Sequence, residues 1–223
     1  MKDTEILIVG GGPGGTPAAM ALASAGRRVV LVNDGPGLGG TCLFEGCIPS
    51  KIFRETAHRY RAALAAGAFG ITLPEAPAGL DWSVVMKRKQ EILTKRAQGA
   101  LQQAQSIPPL DVVQGKASLT SPREALIAPA DGQPYPLRFE RAILATGSRS
   151  HLPPLPGMDL PGVLTSESIL SIDHVPESLT VIGGGPIGME MAHIFQGLGT
   201  RITVLEMLPH ILGPVDHELA GQI

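Results

Sequence analysis

Residues Ile6–Asp34 read ILIVGGGPGGTPAAMALASAGRRVVLVND, and residues Leu179–Met207 read LTVIGGGPIGMEMAHIFQGLGTRITVLEM. A constant offset of 173 superimposes the two stretches, aligning Gly10 with Gly183, Gly12 with Gly185, Gly15 with Gly188 and Gly26 with Gly199. Each is an apolar run, a Gly-x-Gly-x-x-Gly turn, a helix-forming stretch, a glycine stop and a second β-branched run. That is the sequence form of a strand–helix–strand unit that receives a dinucleotide. Gly10 and Gly183 allow the tight turn out of the strand, Gly12 and Gly185 let backbone approach a pyrophosphate, and Gly15 and Gly188 let helix pack on strand. The helix N-terminus then offers unpaired N–H groups and positive potential to phosphate. One such motif alone says little; two, each framed by strands and a helix, outweigh the reading of glycine-rich turns without a ligand. The duplication predicts an α/β protein with two Rossmann-like units.

The copies differ where a ribose is read. The second ends in Glu206, 23 residues after Gly183. A carboxylate there accepts hydrogen bonds from ribose hydroxyls and repels a 2′-phosphate, which favours NAD over NADP. The first copy has Asn33 at the aligned place; asparagine accepts one hydrogen bond, and otherwise Asp34 shifts in.

Residues 39–51 read GGTCLFEGCIPSK and hold the chain's two cysteines, Cys42 and Cys47. Close spacing just downstream of a nucleotide-binding signature suggests a redox pair beside a cofactor; two unrelated buried thiols are the plainer alternative. In a regular α-helix, residues five apart are separated by roughly 7.5 Å along the axis, whereas a disulfide needs Cα atoms within about 7 Å. A bridge would therefore need a distorted turn, which Gly46 and Pro49 permit. A helix beginning near Cys47 would favour thiolate there.

Composition bounds the rest. The 223 residues are 43% hydrophobic and 17% charged, ordinary for a well-packed globular protein. A net charge of −2 and 4% aromatic residues argue against a nucleic-acid partner. No apolar run reaches the length of a membrane span, and the strand pattern Glu5–Val9 starts too early to leave room for a signal peptide. A close cysteine pair without secretory features fits the reducing cytosol, so the expected location is cytoplasmic. The clusters Lys87-Arg88-Lys89 and Lys95-Arg96 fall on an expected helix from about Asp81 to Gln105 and read as a solvated face rather than a binding patch. The histidines His58, His151, His174, His193, His210 and His217 show no metal-ligand spacing and read as structural or surface residues, so no metal is expected.

The cysteine segment, the two glycine turns and Ala145-Thr146-Gly147-Ser148 together resemble the flavin-dependent pyridine nucleotide–disulfide oxidoreductases, the group that includes dihydrolipoamide dehydrogenase, glutathione reductase and mercuric reductase. The resemblance runs through essentially all 223 residues, and the ending Ile48-Pro49-Ser50-Lys51 looks most like dihydrolipoamide dehydrogenase. Phe44 and Glu45 replace the commoner Asn-Val of that family; Glu45 would place a carboxylate near the sulfurs and disfavour thiolate.

The resemblance implies a Rossmann-like FAD-binding domain over 1–150, followed by the first half of a Rossmann-like NAD-binding domain over 151–223. It places FAD on Gly10, Gly12, Gly15, Asn33 or Asp34, Gly40, Thr41, Ala117, Thr146 and Gly147, and NAD on Gly183, Gly185, Gly188 and Glu206. It makes Cys42–Cys47 a redox disulfide, Cys42 exchanging with substrate and Cys47 lying against the flavin. Lys51 and Glu190 would form an ion pair beside the flavin, the alternatives being an exposed lysine and an ordinary first-turn glutamate. Ile187 would screen flavin from nicotinamide, the alternative being a core isoleucine. The implied reaction moves electrons between a dithiol, small or lipoyl-borne, the disulfide, FAD and NAD. A mercuric-type or other disulfide reductase, or a non-catalytic nucleotide-binding remnant, is the competing reading. Family members continue well past the second glycine unit, and their acid–base histidine lies in that part. The expectation is therefore an incomplete chain, inactive alone, of an enzyme that is a homodimer at full length.

Overall fold

The computed structural model describes residues 2–72, 79–213 and 217–221. The chain forms two compact units, Met1–Cys47 with Glu91–Arg149, and Ile48–Gln90 with Ser150–Ile223.

The first unit is built on β1 (Lys2–Val9), α1 (Gly15–Ser24) and β2 (Val29–Asn33). Alanine-rich GTPAAMALAS favours the helix, and Gly26, at φ 81°, takes the left-handed conformation that stops it. Strand β2 pairs parallel with β1, Ile6 opposite Val29 through Val9 opposite Val32. Two long strands close the sheet by changing partners: β3 (Leu110–Ser121) and β5 (Tyr135–Leu144). Strand β3 runs parallel to β2 as far as Gln114, then antiparallel to β4 (Glu124–Pro129) from Gly115. Strand β5 pairs with β4 at one end and parallel with β1 along most of its length, so the order β1-β2-β3-β4-β5 returns to β1.

Both faces of β1 and β2 are covered. Ile6, Ile8, Val29 and Leu31 pack with Ala19 and Ala23 of α1. Leu7, Val30 and Val32 pack with Ala125, Ile127, Leu137 and Phe139 on the other face. Burial on both faces explains why these strands read as continuous apolar runs instead of alternating.

In the second unit, β6 (Ser178–Ile182) and β7 (Arg201–Leu205) pair parallel across α5 (Pro186–Gly197). The register is that of the first unit displaced by the sequence offset, with Leu179 opposite Ile202 where Ile6 is opposite Val29. The same unit holds most of α3 (Cys47–Leu64) and the first turns of α4 (Trp82–Gln105). Asp81 starts α4: its Oδ1 accepts from the Ser83 and Val84 N–H groups at 3.0 and 3.3 Å.

The basic clusters on α4 divide. Lys87, Arg88, Lys95 and Arg96 are exposed, as a solvated face requires. Lys89 is not: it is 7% exposed, on one stripe with buried Trp82, Val85 and Leu93. Its Nζ donates to the Leu170 carbonyl at 2.6 Å and lies 5.7 Å from the centre of the Phe53 ring. Burial pushes its pKa below the ordinary lysine value. Trp82 stacks obliquely on Phe53, ring centres 4.7 Å apart, and donates from Nε1 to the Ile172 carbonyl at 3.0 Å. Lys89 therefore belongs to the packing of the second unit, and the solvated-face expectation is corrected at that position.

Among the described residues no helix is long and apolar enough to cross a membrane.

Candidate functional site

The two glycine turns are built by the same bonds. The Gly10 N–H donates to the Val32 carbonyl and the Gly183 N–H to the Leu205 carbonyl, each at 2.8 Å. Gly10 and Gly183 stand at φ 105° and 103°, a conformation open to glycine. A Cβ on Gly15 would strike the Gly10 carbonyl, and one on Gly188 the Gly183 carbonyl. A side chain at Gly185 would meet nothing within 4 Å, and one at Gly12 only the Gly40 Cα at 3.8 Å. The N-cap residues, Gly14 of α1 and Gly185 of α5, supply no side-chain hydrogen bond to the first helical N–H groups. Open backbone and uncapped N–H donors at a helix start fit a pyrophosphate at either turn.

The aligned residues Asn33 and Glu206 close both turns. Asn33 Oδ1 accepts from the Gly11 N–H at 3.1 Å, and Glu206 Oε2 from the Gly184 N–H at 2.7 Å. They differ in what else they serve. Asn33 Nδ2 donates to the carbonyls of Gly35 and Gly37 at 3.3 and 3.2 Å. Glu206 Oε1 accepts from the Leu208 N–H at 2.8 Å. The Leu208 and Gly184 N–H groups hold the Glu206 carboxyl below its ordinary pKa. Asn33 is buried and Asp34 exposed, so Asn33 is the residue at the turn and Asp34 does not take its place.

The cysteine segment lies against the first turn. The Gly39 N–H donates to the Gly11 carbonyl at 2.7 Å, and a Cβ on Gly40 would approach the Gly12 Cα to 2.7 Å. Gly40, Thr41 and Cys42 start α2 (Gly40–Phe44), which stops at Glu45, whose N–H donates to the Thr41 carbonyl at 2.9 Å. Cys47 then opens α3. The helical path breaks between the two cysteines, at Glu45-Gly46, as a close approach of residues five apart requires. Cys42 is half-buried and Cys47 exposed.

Thr146 and Gly147 follow β5 beside the same turn: the Ala145 N–H donates to the Val9 carbonyl at 2.8 Å, and a Cβ on Gly10 would strike the Ala145 carbonyl. Ala117 sits on β3 opposite Ile127, packed against the apolar cluster that includes Leu7, Val32 and Leu137.

In the second unit, Lys51, one turn into α3 from Cys47, pairs with Glu190 of α5. Lys51 Nζ lies 2.9 Å from Glu190 Oε1, both side chains part-exposed. The lysine and glutamate are thus partners and not independent surface charges. Ile187, at the start of α5, is 60% exposed. Among the described residues no three His, Cys, Asp or Glu side chains converge as a metal site, and the His217 side chain lies outside them. Sequence reasoning missed the donor role of Asn33 toward Gly35 and Gly37, which no local pattern signals.

Comparison with known proteins agrees with this geometry. Residues 4–223 match the family described as pyridine nucleotide-disulphide oxidoreductase. A dihydrolipoyl dehydrogenase of Bacillus subtilis is 37% identical over 215 residues, covering 96% of this chain and 46% of that protein. One from Acholeplasma laidlawii is 34% identical over 224 residues, covering 98% and 64%. The Cu(II) complex of the HOCl-induced flavoprotein disulfide reductase RclA from Escherichia coli is 28% identical, with a TM-score of 0.84 over 99% of this chain and 46% of that one. The chain spans about half the length of most of the relatives it matches. Proteins of this family bind FAD and NAD(P), and the open glycine turns fit two dinucleotides. With its doubled glycine turn and its cysteine pair on the first of them, the chain belongs to the pyridine nucleotide-disulphide oxidoreductase family.

Proposed function

We propose that this chain serves a flavin-dependent disulfide oxidoreductase of the dihydrolipoamide dehydrogenase type, working with NAD in the cytoplasm, and that it does not turn over alone. The observation that carries this reading is the packing of Gly39 and Gly40 onto Gly11 and Gly12, which sets the cysteine segment on a dinucleotide cradle. The first turn, with Asn33, Gly40, Thr41, Thr146 and Gly147 around it, holds FAD, with Ala117 farther along β3 on the adenine side; the second, with Glu206, holds NAD. Glu206 presents a carboxylate where a 2′-phosphate would sit, which selects against NADP.

The substrate is a dithiol, small or carried on a lipoyl protein, and the full-length protein is a homodimer. One substrate thiolate attacks Cys42 of the Cys42–Cys47 disulfide, and Cys47 leaves as thiolate. The second substrate thiol displaces Cys42, so the substrate ends as a disulfide and both cysteines are reduced. FAD and NAD, when bound, carry the two electrons onward from the sulfurs. Lys51, fixed by Glu190 and one helical turn from Cys47, places a positive charge that would favour the negative charge developing on the reduced flavin. Ile187, exposed at the start of α5, supplies the apolar screen at the nicotinamide side.

The test is to titrate the purified chain with FAD and then reduce it with two electrons. A long-wavelength absorption band from the Cys47 thiolate should appear, and should vanish in Cys47→Ser with FAD still bound. A protein that stays colourless with added FAD would mark a non-catalytic remnant and end the proposal.

A further inference from the structure

Within the second unit, α3 and α5 enclose a groove of about 540 Å3 that none of the redox chemistry uses. Arg54, His58 and Arg61 of α3 and His193 of α5 line it, over a floor that includes Ala57 and Gly197. The α3 residues recur at i, i+4 and i+7, so they share one face of the helix. Gly197 makes the close approach possible: a Cβ there would come within 3.0 Å of the Ala57 Cβ and 3.4 Å of the Arg61 Cδ. The missing side chain lets the Arg61 stem lie across α5 and keeps the floor shallow.

Among the described residues the lining carries more positive than negative charge, two arginines against one carboxylate. Its one acid, Glu55, is held by Arg59 outside the lining, Nε to Oε1 at 2.7 Å. Neither Arg54 nor Arg61 takes part in an ion pair among the described residues. Seven residues of helix set the two arginines about 10 Å apart along the axis. Guanidinium groups are forks suited to paired oxygens on phosphate. With one fork at each end of that rise, a chain of linked phosphates can engage both arginines with the imidazoles between. The volume lies in the range of small-molecule sites, about 300–1,000 Å3.

We propose that the α3–α5 groove is a binding site for an oligophosphate chain, free or carried by a nucleotide, separate from both glycine turns. Calorimetry with sodium tripolyphosphate, with FAD and NAD present in excess to fill the glycine turns, should show one saturable site. Arg54→Ala with Arg61→Ala should weaken that binding at least tenfold. Lys95→Ala, the same kind of charge removal on the exposed face of α4, should leave it within twofold. Arg61→Lys should fall between, since lysine keeps the charge and loses the fork. Repeating the titration with ATP separates the sources: tighter binding than tripolyphosphate identifies a nucleotide-borne chain, weaker binding a free one. No saturable binding, or equal loss in Lys95→Ala and the double arginine variant, overturns the proposal. So does binding that disappears once FAD and NAD are added.

Discussion

The glycine turns at Gly10–Gly15 and Gly183–Gly188 share their backbone and differ in their surroundings. Their first glycines differ by two degrees in φ, and their strand-to-strand N–H bonds have equal length. Yet β2 is buried along its whole length between two neighbours, while β7 alternates and leaves Leu205 53% exposed. The cradle therefore does not depend on how deeply its sheet is buried. Three glycines and one side chain returning to the turn are enough. That side chain is chosen by the loop after it: an amide where Gly35 and Gly37 present carbonyls, a carboxylate where Leu208 presents an N–H.

The hardest blow to this parallel is Gly15→Ala against Gly188→Ala. Each new methyl runs into a carbonyl of its own turn, and backbone cannot swing aside as a side chain can. In the first unit α1 cannot retreat, because Ala19 and Ala23 are buried against strands paired on both sides. Overpacking usually costs about 1–3 kcal/mol; Gly15→Ala should reach the top of that range or exceed it. Gly188→Ala should cost less, since β6 is paired on one side among the described residues and can shift. Urea unfolding of the two variants measures the difference, and equal losses would show that sheet context does not matter.

Exchanging the closing residues comes next. Asn33→Glu puts a second carboxylate oxygen against two carbonyls that have lost their donor, in a buried place. Stranding buried acceptors costs about 1–3 kcal/mol, and that loss should appear in unfolding. Glu206→Asn should cost less stability than Asn33→Glu, but should relax the preference for NAD over NADP by about tenfold in competition binding. If Asn33→Glu is harmless, the loop does not choose the residue.

This exchange also shows what could be read from residues alone. The 173-residue offset placed both turns, their strands and their register, because glycine spacing and β-branched runs are local signals. The break between Cys42 and Cys47 followed from helix geometry. What was not legible rests on contacts between distant segments. Lys89 sits in a run of three basic residues and looks solvated; its bond to the Leu170 carbonyl, 81 residues away, and the Phe53 ring beneath it accompany its burial. Residues 48–90 group with the second unit through such bonds, Trp82 to Ile172 among them, and no periodicity announces a side chain meeting a far carbonyl. Asn33 was legible as a departure but not as a donor, since its partners lie in a loop of irregular backbone.

Acid separates the copies in another way. The N–H groups of Leu208 and Gly184 hold the Glu206 carboxyl below the ordinary glutamate value. A carboxyl lowered on folding adds stability that is complete above its unfolded value and fades as pH falls through the folded one. The melting temperatures of the parent and Glu206→Gln should differ by a constant amount above about pH 4.5 and converge below it. Asn33 has no proton to gain, so the gap between the parent and Asn33→Ala should not close over that range. A gap for Glu206→Gln that widens in acid would contradict the assigned bonds.

The smallest effect expected on stability comes from the contact the proposed chemistry values most. Lys51 and Glu190 are 139 residues apart in sequence and meet at 2.9 Å. Their side chains are 49% and 31% exposed, so water screens the attraction and the long side chains lose freedom in making it. Such pairs contribute about 0–1 kcal/mol. A double-mutant cycle of Lys51→Met and Glu190→Gln should return a coupling within that range in unfolding. The same two variants should nonetheless diminish the long-wavelength thiolate band of the FAD-bound, reduced protein, because a positive charge near developing negative charge acts on chemistry without needing to hold the fold. Coupling well above 1 kcal/mol, with the band unchanged, would make the pair a structural clasp between α3 and α5 and remove Lys51 from the site.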